Sequence, residues 1–148
     1  MTTNIPRSKT LGDLLDELAK IYRDNEVVIW KDSRLTYSQF KEEVDIFARS
    51  LLSLGIKRRD NVALISSNRP EWLIAMFAIA KIGATTVAIS TFSTQRELHW
   101  ALKHSRSSCV ISISSLKNHN FIKTLQELCP EYRESKIGEL GSKSLPRL

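Results

Sequence analysis

Few residues in this 148-residue chain have the types and spacing that chemistry needs. His99 and His104 are five positions apart, which on a helix turns them to different faces, and His119 has no partner at ligand spacing. No metal site is expected from them. Cys109 lies in an apolar run and Cys129 ends a helical pattern. Neither fits a paired-cysteine zinc spacing or a disulfide framework, so both read as small buried hydrophobes. There is no Gly-x-Ser-x-Gly elbow, and the five glycines (Gly12, Gly55, Gly83, Gly138 and Gly141) form no phosphate-cradling cluster. Trp72 and Trp100 fall on helical stretches and read as core or interface residues rather than stacking platforms. What remains is three polar, serine-rich loops at 66–69, 90–93 and 114–116. Each would follow a strand, and in an open parallel sheet ligands gather beyond the carboxyl ends of the strands. The loops are candidates for binding, and no residue is named as catalytic.

The elements that would hold those loops centre on residues 61–91. A short apolar run at 62–65 breaks at Ser66, Ser67, Asn68, Arg69 and Pro70, and an almost wholly apolar segment covers 72–82. Gly83 interrupts, and a second short run covers 85–89. Runs this short and rich in Val, Ile and Thr fit strands buried on both faces. The segment between them is long and carries Ala, Met and Leu, which favour helix. Strand, helix and strand make a crossover unit with parallel strands and a right-handed connection. Asn68 and Glu71 have capping-box spacing, with Pro70 in the first turn. Gly83 suits a left-handed helix end, and Lys81 suits its negative pole. A helix apolar almost all round must be covered on most sides.

Before this unit, Leu11, Leu14, Leu15, Leu18, Ala19 and Tyr22 stripe an amphipathic helix that starts near Thr10. Residues 26–30 read as a strand, residues 31–34 as a turn, and Leu35 and Thr36 as a return strand, which together make a hairpin. Thr36 and Gln39 form a capping box for a long helix whose apolar stripe runs from Phe40 to Leu52, with Gly55 as its stop. After the unit, Thr94 and Glu97 cap another helix, residues 109–113 form a third strand, and Phe121 to Leu128 stripe a last helix that Pro130 closes. The predicted fold class is α/β. An N-terminal helix, hairpin and helix precede a β-α-β-α-β-α order, layered on a mostly parallel sheet. Residues 1–9 read as a flexible N-terminus, 10–130 as one partial subdomain, and 131–148 as an irregular tail.

Composition narrows the class. With 22 basic and 16 acidic residues the formal charge is +6, but the cations are scattered, apart from small clusters at Lys57, Arg58 and Arg59 and around Lys103 and Arg106. A nucleic-acid reader would gather them on one element, so no nucleic-acid partner is expected; anionic cofactors account for the excess more simply. The N-terminus lacks the apolar core of a signal peptide, and no apolar run reaches the ~20 residues of a membrane span. The expected setting is cytoplasmic.

Five pieces, in register, resemble one family. Asn68-x-Pro70-Glu71-Trp72 after a strand, followed by an Ala-rich helix and Lys81, Ile82, Gly83 and Ala84, is similar to the AMP-forming acyl-CoA synthetases of the adenylate-forming superfamily. The stretches at 10–15, 34–40, 51–57 and 96–105 fall in the order that family shows, and the resemblance covers about residues 10–148. It implies the N-terminal part of an enzyme that activates a carboxylic acid, of a fatty or similar apolar kind, through an acyl-adenylate and passes it to coenzyme A. ATP, Mg2+ and coenzyme A would serve the full-length enzyme, with a small carboxylic acid as its partner, and none is expected to bind this chain tightly. The resemblance also implies that Ser90, Thr91 and Phe92 flank the approach of coenzyme A. Some members place a basic side chain there, and Phe92 offers an apolar contact instead. The family's Ser/Thr/Gly-rich phosphate loop ending in Pro-Lys is absent, as are its ribose-binding aspartate and its C-terminal lysine. On this reading the chain alone is inactive, and its apolar helix invites self-association. The competing readings are a truncated, non-catalytic remnant or binding module, and a fragment of another adenylate-forming enzyme. The family usually has glycine where Arg59 stands, so the turn there is expected to adopt a conformation that does not need glycine.

Overall fold

The computed structural model describes residues 7–135 and 140–148; most of the expected flexible N-terminus, and Gly138, lie outside the described residues. Its centre is a three-stranded parallel sheet of β3 (Asn61–Ile65), β4 (Thr85–Ala88) and β5 (Cys109–Ser112), in the order β4-β3-β5. Asn61 pairs with Thr85 and Leu64 with Ala88 on one side of β3, and Val62 pairs with Cys109 and Ile65 with Ser112 on the other. The parallel crossover unit expected from residues 61–91 is therefore present. Burial on both faces, however, belongs to β3 alone, where Val62 to Ile65 are all buried. β4 is half-buried at Thr86 and Val87 and exposed at both ends, and β5 is half-buried throughout, because each is an edge strand with one neighbour.

Alternation along β3 divides the core in two. Val62 joins Leu15, Phe40, Val44, Leu51 and Ile79 on one face, where α1 (Leu11–Ile21), α2 (Tyr37–Ser53) and α3 (Pro70–Lys81) pack. Ala63 and Ile65 join Leu98, Leu102, Phe121 and Leu145 on the other, beneath α4 (Gln95–Ser105) and α5 (Phe121–Leu128). Phe40 and Phe77 meet edge to face at 5.4 Å, the arrangement their ring quadrupoles favour. Between the three helices of the first layer lies a small lattice of charge. Lys81 Nζ is 2.6 Å from Asp16 Oδ1 and 2.5 Å from Asp45 Oδ1, and Lys41 Nζ is 2.5 Å from Asp45 Oδ2. Lys81 thus ties α3 to both neighbours, a role its position near a helix terminus does not reveal.

Several local expectations need correction. Asn68 does not cap α3. Arg69 is the N-cap, without a side-chain cap bond, because the ring of Pro70 at the first helical position forces the residue before it into extended backbone (φ −159°, ψ 160°). Arg69 instead grips Glu71, with Nε 2.8 Å and Nη2 2.6 Å from its carboxylate. The capping boxes at Thr36/Gln39 and Thr94/Glu97 are present. Gly83 (φ 74°) ends α3 in a Schellman pair, with Ala84 N–H donating to Ile79 C=O and Gly83 N–H to Ala80 C=O, each at 3.0 Å. The turn at Arg59 keeps the left-handed form despite its side chain (φ 71°), since its N–H must reach Gly83 C=O at 2.9 Å. The hairpin of β1 (Glu26–Trp30) and β2 (Ser33–Thr36) turns on two residues rather than four, with Lys31 at φ 51°. Residues 115–116, expected as loop, pair with 119–120 as a miniature hairpin, β6 (Ser115–Leu116) with β7 (His119–Asn120).

The tail after α5 makes one 3-10 turn (Pro130–Arg133), and its described end docks on the second layer. Leu145 is buried there, and Ser144 Oγ donates to Leu128 C=O at 2.8 Å.

Candidate functional site: the carboxyl rim of the sheet

Because the three strands run parallel and nearly in step, the loops that leave their carboxyl ends emerge side by side. Ile89 N–H donates to Leu64 C=O and Ile113 N–H to Ile65 C=O, each at 3.0 Å, so residues 66–69 sit between residues 90–93 and 114–116. The structure brings together the three loops singled out by sequence. Two hydroxyls at or beside these loops serve the chain's own backbone. Ser66 Oγ donates to Ser67 C=O at 3.1 Å, and Ser112 Oγ to Ile113 C=O at 2.8 Å. Ser114 C=O accepts the Phe121 N–H at 3.0 Å, which ties the third loop to α5.

Ser90, Thr91 and Phe92 form one tight turn. Ser90 Oγ accepts the Phe92 N–H and Ser90 C=O accepts the Ser93 N–H, both at 3.1 Å. Thr91 is half-buried, whereas the Phe92 ring is 80% exposed. A phosphate near this turn would look to the N-terminus of α4 for backbone donors. That end is already filled: Glu97 Oε2 accepts the Thr94 N–H at 2.8 Å, and these bonds from Thr94 hold its carboxyl below the usual carboxylate range. At the start of α3, Glu71 likewise stays ionised beside Arg69, whose hydrogen bonds lower it. Glu97 sets a negative charge beside the turn and Arg69 is engaged by Glu71, so neither favours a phosphate there, while an apolar ring standing in solvent suits an apolar or π-faced group.

Sequence did not show that Cys109 and Cys129 line one cavity. This apolar hollow of about 540 Å³ lies between β5, α5 and the tail, with Ile56, Leu125, Leu140 and Leu148 on its walls. Burial pushes both thiols up, so neither is poised as a nucleophile. Nothing in their 20-residue separation signals the shared cavity. Two of the three histidines pack on aromatic rings: His104 stacks on Trp100 at 4.6 Å and His119 on Phe121 at 4.1 Å. Among the described residues no three His, Cys, Asp or Glu side chains gather as a metal site would require.

Residues 15–143 match the family described as AMP-binding enzyme. The chain belongs to that family. Its relatives within the AMP-binding family include the putative acyl-CoA synthetase YngI of Bacillus subtilis, 37% identical over 141 residues, which cover 94% of this chain and 26% of that protein. They also include the human mitochondrial medium-chain acyl-CoA ligase ACSF2, 32% identical over 143 residues, 95% of this chain and 23% of that protein. The inhibitor-bound N-terminal domain of FACL13 from Mycobacterium tuberculosis superposes with a TM-score of 0.69 at 31% identity, covering 71% of this chain and 27% of that one. The anthranilate CoA ligase AuaEII, at 21% identity, shares the fold over the whole chain with a TM-score of 0.76. The chain spans about a quarter of the length of the curated relatives it matches.

An AMP-binding enzyme holds a nucleotide, and the glycines of this chain test whether its residues fit one. Gly55 (φ 86°) and Gly83 (φ 74°) terminate α2 and α3, and a Cβ on Gly12 would stand 3.0 Å from the Lys81 backbone. These three glycines serve helix ends and helix packing. Among the described residues these glycines form no cluster of the kind that cradles a triphosphate.

Proposed function

We propose that this chain is the N-terminal portion of an ATP-dependent carboxylic acid–coenzyme A ligase that works through an acyl-adenylate. Its acid is of the fatty or similar apolar class. The observation that carries the reading is the family match over residues 15–143, together with acyl-CoA synthetases and ligases among the relatives at 30–37% identity. In this reading ATP, Mg2+ and the acid are held by parts of the longer relatives that the chain does not span. The chain itself contributes the two-layered scaffold and the turn of Ser90, Thr91 and Phe92. Phe92 is assigned an apolar contact with coenzyme A as it approaches, since Glu97 fills the neighbouring helix end. The 148 residues alone are inactive. The compartment assigned is the cytoplasm; the two free thiols fit a reducing setting, and among the described residues no helix is long and apolar enough to cross a membrane.

Two experiments test this. The purified chain, given ATP, Mg2+ and a series of carboxylic acids, is expected to catalyse no ATP–pyrophosphate exchange; measurable exchange overturns its assigned inactivity. A hybrid carrying residues 7–148 in place of the matching quarter of the Bacillus relative is expected to form acyl-CoA. A hybrid that folds and binds ATP, yet activates no acid that the parent activates, overturns the ligase reading. In the active hybrid, Phe92→Ala is expected to raise the KM for coenzyme A and leave adenylate formation unchanged.

A further inference from the structure

The structure collects cations at the other end of the sheet. Arg59 precedes β3, Arg106 follows α4 and Arg147 lies in the tail, yet all three line one concavity of about 310 Å³ with Asp60 and Asn61. Arg106 and Arg147 also wall an adjoining hollow with Lys103. Three arginines therefore share the first concavity with one carboxylate, and Lys103 adds a cation to its neighbour. Asp60 is partly committed: its Oδ2 accepts the Lys57 N–H at 2.8 Å, and its Oδ1 lies 3.8 Å from Arg147 Nη2.

We propose that this concavity binds a compact multivalent phosphate anion, such as inorganic pyrophosphate or a phosphomonoester. Guanidinium groups offer paired donors in a fork that matches phosphate oxygens, and a concave surface of one sign focuses the field on a small anion. Three arginines around one hollow repel each other until such an anion enters. The patch is a pocket rather than a stripe along one element, which separates it from a nucleic-acid track.

The backbone supports the assignment. Arg59 (φ 71°) and Arg106 (φ 52°) both occupy the left-handed region that favours glycine. Both are locked there, Arg59 by its N–H bond to Gly83 C=O at 2.9 Å and Arg106 by its N–H bond to Lys103 C=O at 3.2 Å. A side chain held where its absence would relax the chain is a pointer to function. The fixed turns set where the two side chains leave the backbone, while their exposed guanidiniums stay free to turn toward an anion.

The same strain provides a clean test. Arg59→Gly and Arg106→Gly each delete a guanidinium at a position where glycine suits the backbone, so both variants should fold at least as well as the parent. Titration of the 148-residue chain with sodium pyrophosphate at low ionic strength is expected to saturate at one anion per chain and to weaken as salt rises. Each variant should bind about tenfold more weakly, with an unchanged or raised melting temperature. Asp60→Asn removes the competing charge while its amide oxygen can still accept the Lys57 N–H, and it should bind several-fold more tightly. Affinity unaltered by these changes overturns the proposal, as does titration that never saturates. Phosphatidylglycerol vesicles form the second arm: vesicle binding without pyrophosphate saturation assigns the patch to a lipid surface and overturns the small-anion site. Saturation by pyrophosphate that vesicles do not compete away supports it.

Discussion

Arg59 and Gly83 face each other across one hydrogen bond, and both backbones are left-handed, at φ 71° and 74°. A side chain in that region costs about 1–2 kcal/mol. Glycine carries its own penalty, the extra freedom of the unfolded chain, of about 0.4–1 kcal/mol. The balance predicts that Arg59→Gly is more stable than Arg59→Ala by about 0.5–1 kcal/mol. Both variants remove the same charge, so relief of repulsion from Arg106 and Arg147 cancels in the comparison. For a domain of this size, 1 kcal/mol moves the melting midpoint by roughly 2–4 °C. Gly83→Ala is the mirror experiment. It adds the left-handed cost and sets a Cβ 2.9 Å from Arg58 Cγ, on the stem of that side chain, which must shift, so a loss of at least about 1–2 kcal/mol is expected. Thermal unfolding followed by far-ultraviolet circular dichroism, with urea unfolding as a check, reads all three variants. If Arg59→Gly proved no more stable than Arg59→Ala, the turn would not be held left-handed in solution and the reasoning would fail.

Two further outcomes follow from the charge lattice and from the surface. Burial pushes the Asp45 carboxyl up, but the hydrogen bonds and charges of Lys41 and Lys81 outweigh it and hold the group below its ordinary 3.8. Its contribution is therefore complete above about pH 4 and is lost as pH falls through the lower folded value. Asp45→Asn should lower the melting temperature at pH 7 and do so much less at pH 2.5; an equal effect at both would refute the assignment. On the surface, Leu52, Leu54, Phe92 and Trp100 are exposed and the Trp72 and Met76 side of α3 is only half-buried, so the isolated chain should associate with rising concentration and bind a hydrophobic dye. A clean monomer on size-exclusion chromatography with no dye fluorescence would count against this.

What was legible in the sequence was local. Thr94 followed by Glu97, and Thr36 by Gln39, announce helix starts because a hydroxyl and a carboxylate or amide three residues on satisfy orphan N–H groups within one turn. Asn68 and Glu71 show the same spacing and misled, since Pro70 between them dictates the backbone of Arg69 and moves the cap one residue on. The three rim loops were legible because strand polarity follows from chain order once the crossover is recognised. Which of their serines are already engaged, as Ser66 and Ser90 are, was not, because that depends on which backbone group each hydroxyl reaches.

The amino-acid order alone settled the crossover unit, the α/β layering and the family, since periodicity, Gly83 and the five motifs in register act over a few residues at a time. Tertiary structure alone decided that β4 and β5 are sheet edges, that Lys81 bridges Asp16 and Asp45, and that Cys109 and Cys129 share a cavity. It also brought Arg59, Arg106 and Arg147 to one hollow from three distant stretches of chain. Side chains far apart in the chain meet only through packing on both faces of β3, and no spacing rule encodes that meeting.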